Sequence, residues 1–189
     1  LKSGPVSVAA GSSGFSAPYV APEGGHVVFY RVLPPEKPGE KPRHVPVTAV
    51  QLGDGGPYLV LMIVNPETAA IRTMVVDDSW TTHPVKTVRI FNFSRRQAMV
   101  KLGESVVEMP TTQSHIFPYP DGDQVWLQAA TRENETWVLR VGGPQATLPD
   151  ARSTVVLIDQ PPSPDRTNPF AVLVRNFIEF EPPKPAPTP

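Results

Sequence analysis

The densest cluster of chemically able side chains is Asp77-Asp78-Ser79-Trp80, with His83 three residues further on. Two carboxylates and an imidazole are ligands that a divalent cation accepts. Asp77, Asp78 and His83 are therefore the candidate metal ligands. Strand geometry works against them, because successive side chains point to opposite faces. The same residues also read as a strand-ending turn, in which Asp and Ser side chains bond the backbone, and composition favours that reading. Asp121-Gly122-Asp123 resembles a fragment of a calcium loop but lacks the further ligands and the closing Glu. The four histidines, His26, His44, His83 and His115, fall in neither HxH nor HExxH spacing.

Nucleophile signatures are missing from the sequence. There is no GxSxG elbow, no phosphate-binding loop and no GxGxxG. With no cysteine in the chain, thiol chemistry, disulfides and cysteine-ligated zinc are excluded. No cofactor is expected. Trp80, Trp126 and Trp137 are the candidate ligand-binding residues, as an aromatic platform for sugar rings. Trp126 and Trp137 flank one hairpin, and they share a face if four residues, Arg132 to Glu135, form its loop. The competing role is core filling, which large aromatics often take. Asn92-Phe93-Ser94 and Asn134-Glu135-Thr136 match the glycosylation sequon. Only Asn134 is expected to be accessible, in the hairpin loop.

The elements that must position these residues are strands. Proline makes up 25 of the 189 residues, which long helices do not tolerate and short strands joined by turns do. No stretch shows a helical apolar period. Strand signals cover His26–Leu33, His44–Gln51, Tyr58–Asn65, Ile71–Asp77, Lys86–Phe93, Ala98–Leu102, Ser105–Met109, Gln124–Ala130, Thr136–Val141, Ser153–Gln160 and Ala171–Phe180. Gly103-Glu104 suits a type II′ turn, Pro66–Ala70 suits one helical turn, and Gly142-Gly143-Pro144 is expected to break the chain. Tyr58–Asn65 is apolar on both faces and reads as the doubly buried centre of the core.

The fold expected is an all-β, antiparallel β-sandwich of Ig-like or Greek-key type with about ten strands. Residues 1–24 are expected as a flexible arm, with one short strand at Val6–Ala9. Residues 25–181 form one sandwich domain, the alternative being two subdomains jointed at Thr81-Thr82-His83-Pro84. Residues 182–189 are a disordered proline-rich tail, with PxxP as a possible ligand for a proline-reading domain and a linker as the plainer reading.

The net charge of -1 offers no field for nucleic acid or an anionic membrane. The longest apolar run, Tyr58–Val64, is far short of the ~20 residues of a membrane-spanning helix, so no transmembrane segment is expected. A chain that opens on Leu1 rather than Met is read as a processed or truncated form, a removed signal peptide being one explanation.

VRIFNFS (Val88–Ser94), QAMVKLGE, VVEMP, PYPDGD, a Trp-containing strand and LPDARSTVVLID (Leu148–Asp159) follow one another over about half of the chain. This layout resembles small β-sandwich domains of unknown function in bacterial envelope and secreted proteins, where a VRxxN strand opens an Ig- or transthyretin-like set. VFYRVL and VVDDSW in the first half are similar to uncharacterised exported proteins of environmental bacteria. The resemblance implies a periplasmic, envelope or secreted protein with no assigned activity, and it transfers no catalytic residue. The function expected is a non-catalytic structural or protein-binding module of the bacterial envelope. A carbohydrate-binding module, with a polysaccharide as partner, is the second reading. A metal-dependent enzyme is the third.

Overall fold

A computed structural model describes residues 5–8, 11, 14–65, 68–160 and 172–182. They contain twelve strands and no helix. The proline-rich loop at 161–169, the tail from 183 and Pro66 and Glu67 of the expected helical turn lie outside the described residues. No described helix is long and apolar enough to cross a membrane.

The chain gathers into two compact units. One is Pro18–Thr82; the other combines residues 1–17 with His83–Pro189. The break falls within the Thr81–Pro84 segment.

The smaller unit is two hairpins: β1 (His26–Leu33) with β2 (Arg43–Gln51), and β3 (Tyr58–Val64) with β4 (Ile71–Asp77). β2 approaches β4. Here the expected doubly buried centre is corrected. β3 belongs to a two-stranded sheet and its first six residues are only half-buried. An unbroken apolar run marks a strand that avoids water, but a sheet of two strands has too few neighbours to shield it.

The larger unit is a sandwich. Its strands are β5 (Thr87–Asn92), β6 (Ala98–Leu102), β7 (Ser105–Met109), β8 (Gln113–Pro118), β9 (Gln124–Glu133), β10 (Thr136–Ala146), β11 (Ala151–Asp159) and β12 (Val172–Phe180). One sheet has the order β10-β9-β6-β7 and the other β12-β11-β5-β8. Val100, Leu102, Leu127 and Ala129 of the first meet Val88, Ile90, Phe117, Val155 and Leu157 of the second in one apolar core. Alternation along each strand supplies one apolar face to it.

The sandwich is antiparallel, as expected, except at one pair: β5 and β11 run parallel, with Ser153 opposite Val88 and Leu157 opposite Asn92. All six residues of β5 and the first seven of β11 are buried. Parallel strands are typically covered on both faces, and this pair, not β3, is the doubly buried one. β8 carried too little β-branched character to be expected. β10 runs straight through Gly142-Gly143-Pro144 as an edge strand, where a proline costs no ladder bond to a further neighbour. Residues 5–8 are not a strand. The arm is nevertheless tethered: the Phe15 ring lies 5.0 Å from that of Phe177 on β12.

Candidate binding face

The β9–β10 hairpin sets the most chemically distinctive surface. Glu133 pairs with Thr136, leaving Asn134 and Glu135 as a two-residue turn. Both have positive φ, 46° and 65°, the left-handed pair of a type I′ turn, for which Asn is well suited. The register that follows puts Trp137 opposite Arg132 and Pro144 opposite Trp126. Val125, Leu127, Ala129 and Thr131 of β9 are buried. Trp126, Gln128, Ala130 and Arg132 therefore point the other way. Trp126 and Trp137 share this outer face, about 20 Å apart along the strands at roughly 3.4 Å per residue.

Trp126 is 54% exposed, Leu139 on β10 58% and Val106 on β7 54%. Met99 and Lys101 of β6 lie between these rows, beside Ala130 and Gln128. Gly142 keeps the surface low beside Trp126: a Cβ there would lie 3.8 Å from the indole Nε1. Among the described residues neither Lys101 nor Arg132 has an ion-pair partner. Trp80 is half-buried in the turn after β4, in the other unit, and does not belong to this sheet.

The Asp77 cluster forms a turn. Asp77 Oδ1 accepts from the Ser79 amide at 2.8 Å, and Oδ2 accepts from the Thr82 hydroxyl at 2.9 Å. The Asp78 amide donates to the Pro57 carbonyl at 2.9 Å, and Asp78 is buried. His83 is wholly buried in the larger unit, and its carbonyl accepts from Arg152 Nη1 at 3.0 Å. Among the described residues no group of three His, Cys, Asp or Glu is placed to hold a metal.

Asp121, Gly122 and Asp123 line a hollow of about 150 Å³ with Lys86, Tyr119 and Thr147. Small-molecule sites enclose about 300–1,000 Å³, so this hollow is too small for one. Lys86 Nζ stands 4.0 Å from Asp121 Oδ1, both well exposed, a pairing worth little in water. Burial pushes the Tyr119 phenol above its ordinary value, against a smaller downward pull from its hydrogen bond with Ser153.

Two polar clusters that sequence reasoning missed hold the sandwich together. In the first, Arg96 reaches Glu133 at 2.6 Å and Asp159 at 2.7 Å. Arg140 also pairs with Glu133, and Thr131 donates to it at 3.0 Å. Burial works to raise the Glu133 carboxyl; the hydrogen bonds from Arg140 and Thr131 and the charges of Arg140 and Arg96 outweigh it and hold the group below its ordinary value. A depressed folded-state value stabilises the fold above the unfolded carboxylate range, and that contribution is lost as pH falls through the folded value. Glu133→Gln is expected to cost about 2 kcal/mol at neutral pH. The deficit should shrink in acid, as the contribution falls away below the unfolded carboxylate range. Urea titrations at pH 7 and pH 3 check this; an equal deficit at both would contradict it.

The second cluster surrounds Asn92. This residue matches a sequon but is fully buried, whereas Asn134 is exposed in its turn. A comparison with protein-family models and with curated proteins finds no match to this chain.

Proposed function

We propose that this protein is a non-catalytic binding module of the exported type, which holds a protein partner against the outer face of the β10-β9-β6-β7 sheet. The observation that carries the reading is the set Trp126, Leu139 and Val106, each more than half exposed on one face. Exposed apolar residues scattered singly are ordinary, whereas several on one sheet face with an aromatic anchor are a mark of association. A rigid sheet, with its other side fixed in the core, presents these residues with little ordering cost on binding.

A specific observation favours a second reading. The low surface at Gly142 beside the Trp126 indole, with Gln128 on the same face, is a shape that a flat sugar ring fits. Aromatic faces supply the stacking area and the planar amide supplies hydrogen bonds to hydroxyls.

The two separate in one experiment. A photo-crosslinking residue at Leu139, in cells that make the protein, should give a discrete protein adduct that Trp126→Ala removes. Removal of an anchor of this type weakens binding about 30-fold or more. Absence of an adduct, with Trp126-dependent co-sedimentation on envelope polysaccharide, would replace the first reading by the second. A chain that binds neither would sink both. Trp126→Ala itself should change folding stability by less than about 1 kcal/mol, because the ring already faces water.

A further inference from the structure

Four strands end the two sheets of the larger unit: β10 and β7 in one, β12 and β8 in the other. A free edge presents unpaired N–H and C=O groups and invites another strand, so natural sheets blunt their edges with prolines, bulges or short strands. Three of these four are blunted. β10 contains Pro144 and a register shift at Arg140. β8 ends on Pro118. β7 has five residues and runs into Pro110.

β12 is different. It is nine residues long, contains no proline and pairs with β11 without a register shift from Val172 to Phe180. Among the described residues no backbone hydrogen bond joins its other edge to any segment. Ile178 and Phe180 are 47% and 62% exposed. Nothing in the strand protects the edge.

The pattern of β12 complements itself. An antiparallel pairing of two copies with the dyad at Phe177 sets Arg175 of each opposite Glu179 of the other, giving two opposite-charge cross-strand pairs per dimer. Val174 then lies opposite Phe180. A dyad one residue earlier would put Arg175 opposite Phe177 instead, so the charges select the register. Arg175 is exposed and has no ion pair among the described residues. Glu179 accepts from Arg152 at 3.2 and 3.3 Å, which fixes the carboxylate, and its side chain keeps 27% of its exposure. A carboxylate has about four lone-pair sites, so Arg152 does not exhaust it.

We infer that β12 is a self-association edge, across which two copies join antiparallel, β12 to β12, into one continuous eight-stranded sheet. The surface lies in the opposite sheet from the face assigned to a partner, so the two can be tested apart. Edge pairing buries little area compared with standard interfaces, and the dimer is therefore concentration-dependent.

Sedimentation velocity of the 189-residue chain across about 1–500 μM should show reversible dimerisation. Arg175→Glu places like charges opposite one another twice and should weaken it about tenfold or more, while Arg175→Lys retains it. Ile178→Lys, a charge on an exposed edge position, is the second variant should the first fold poorly. Hydrogen exchange should show alternate β12 amides becoming protected as concentration rises. A chain that stays monomeric throughout would overturn the inference. So would a dimer indifferent to both charged variants, with β12 amides exchanging alike at every concentration.

Discussion

Asn92→Ala is expected to destabilise the larger unit by about 3–5 kcal/mol, a loss out of scale for one small polar side chain. The reason is that every hydrogen-bonding site of this buried amide is used. Nδ2 donates to the carbonyls of Arg96 and Met109, both at 2.9 Å. Oδ1 accepts from the Ser94 amide at 3.1 Å and lies 2.7 Å from the Ser94 hydroxyl. The residue's own carbonyl accepts from the Thr112 amide at 2.7 Å. One side chain thus joins the end of β5, the β5–β6 connection and the end of β7. Alanine leaves the Met109 carbonyl and the Ser94 amide without those bonds, each costing roughly 1–3 kcal/mol, not additively, while the Arg96 carbonyl keeps the Ser94 hydroxyl at 2.9 Å. Asn92→Asp keeps the shape but turns a carboxylate oxygen toward two carbonyls, and should be at least as damaging at neutral pH. Ser94→Ala removes less and should cost about 1–2 kcal/mol. Denaturant titration checks the series through the midpoint at unchanged slope; a loss below about 1 kcal/mol for Asn92→Ala would show that the connections hold without it.

Phe117→Ala should cost about 3–5 kcal/mol through lost burial and the cavity left behind. The ring is 1% exposed, sits opposite Val88 in the sandwich core, and has the His115 ring edge-on at 4.7 Å. Against a typical net stability of about 5–15 kcal/mol, this is enough to populate unfolded chains. Trp126→Ala deletes a larger aromatic and should cost far less, because burial and not size sets the penalty. Thermal melts of the two variants side by side test the assignment of inner and outer faces. A Trp126→Ala deficit equal to that of Phe117→Ala would mean that the outer face is covered.

The strands were largely legible in the sequence. His26–Leu33, Ile71–Asp77, Ala98–Leu102 and Ser105–Met109 begin and end as the β-branched runs and turns say they should. Only the first residue of the Gly103-Glu104 turn has positive φ, in keeping with type II′. What the sequence hid was depth. Val88-Arg89-Ile90-Phe91-Asn92 has a charge at its second position, yet Arg89 is 3% exposed and Phe91 wholly buried, stacked on Phe93 at 5.7 Å. Tyr58–Val64 looks like a core centre and is a hairpin arm. Burial depends on what lies across the sheet, and local patterning contains no information about that neighbour. The shared face of Trp126 and Trp137 was tied to a four-residue loop; the loop has two residues instead, and because that count is also even the two rings still share a face. The Asn92 and Glu133 clusters were not legible. Their members come together from positions such as Arg96 and Asp159, 63 residues apart, and no short motif announces such a meeting.

The parallel pairing of β5 with β11 also governs the order of events when the chain is made. β5 pairs with β8 within about 30 residues, but it cannot find its second sheet neighbour, β11, until about 65 further residues have emerged, and strands with such distant partners close slowly. The two hairpins within Pro18–Thr82 have partners nearby and can form while synthesis continues. Until β11 arrives, the apolar strand Thr87–Asn92 can pair with β8 along one edge only, and its other edge stays open. A nascent chain of this protein is therefore most prone to misassociation over one definable interval of translation, between the emergence of residue 92 and that of residue 159.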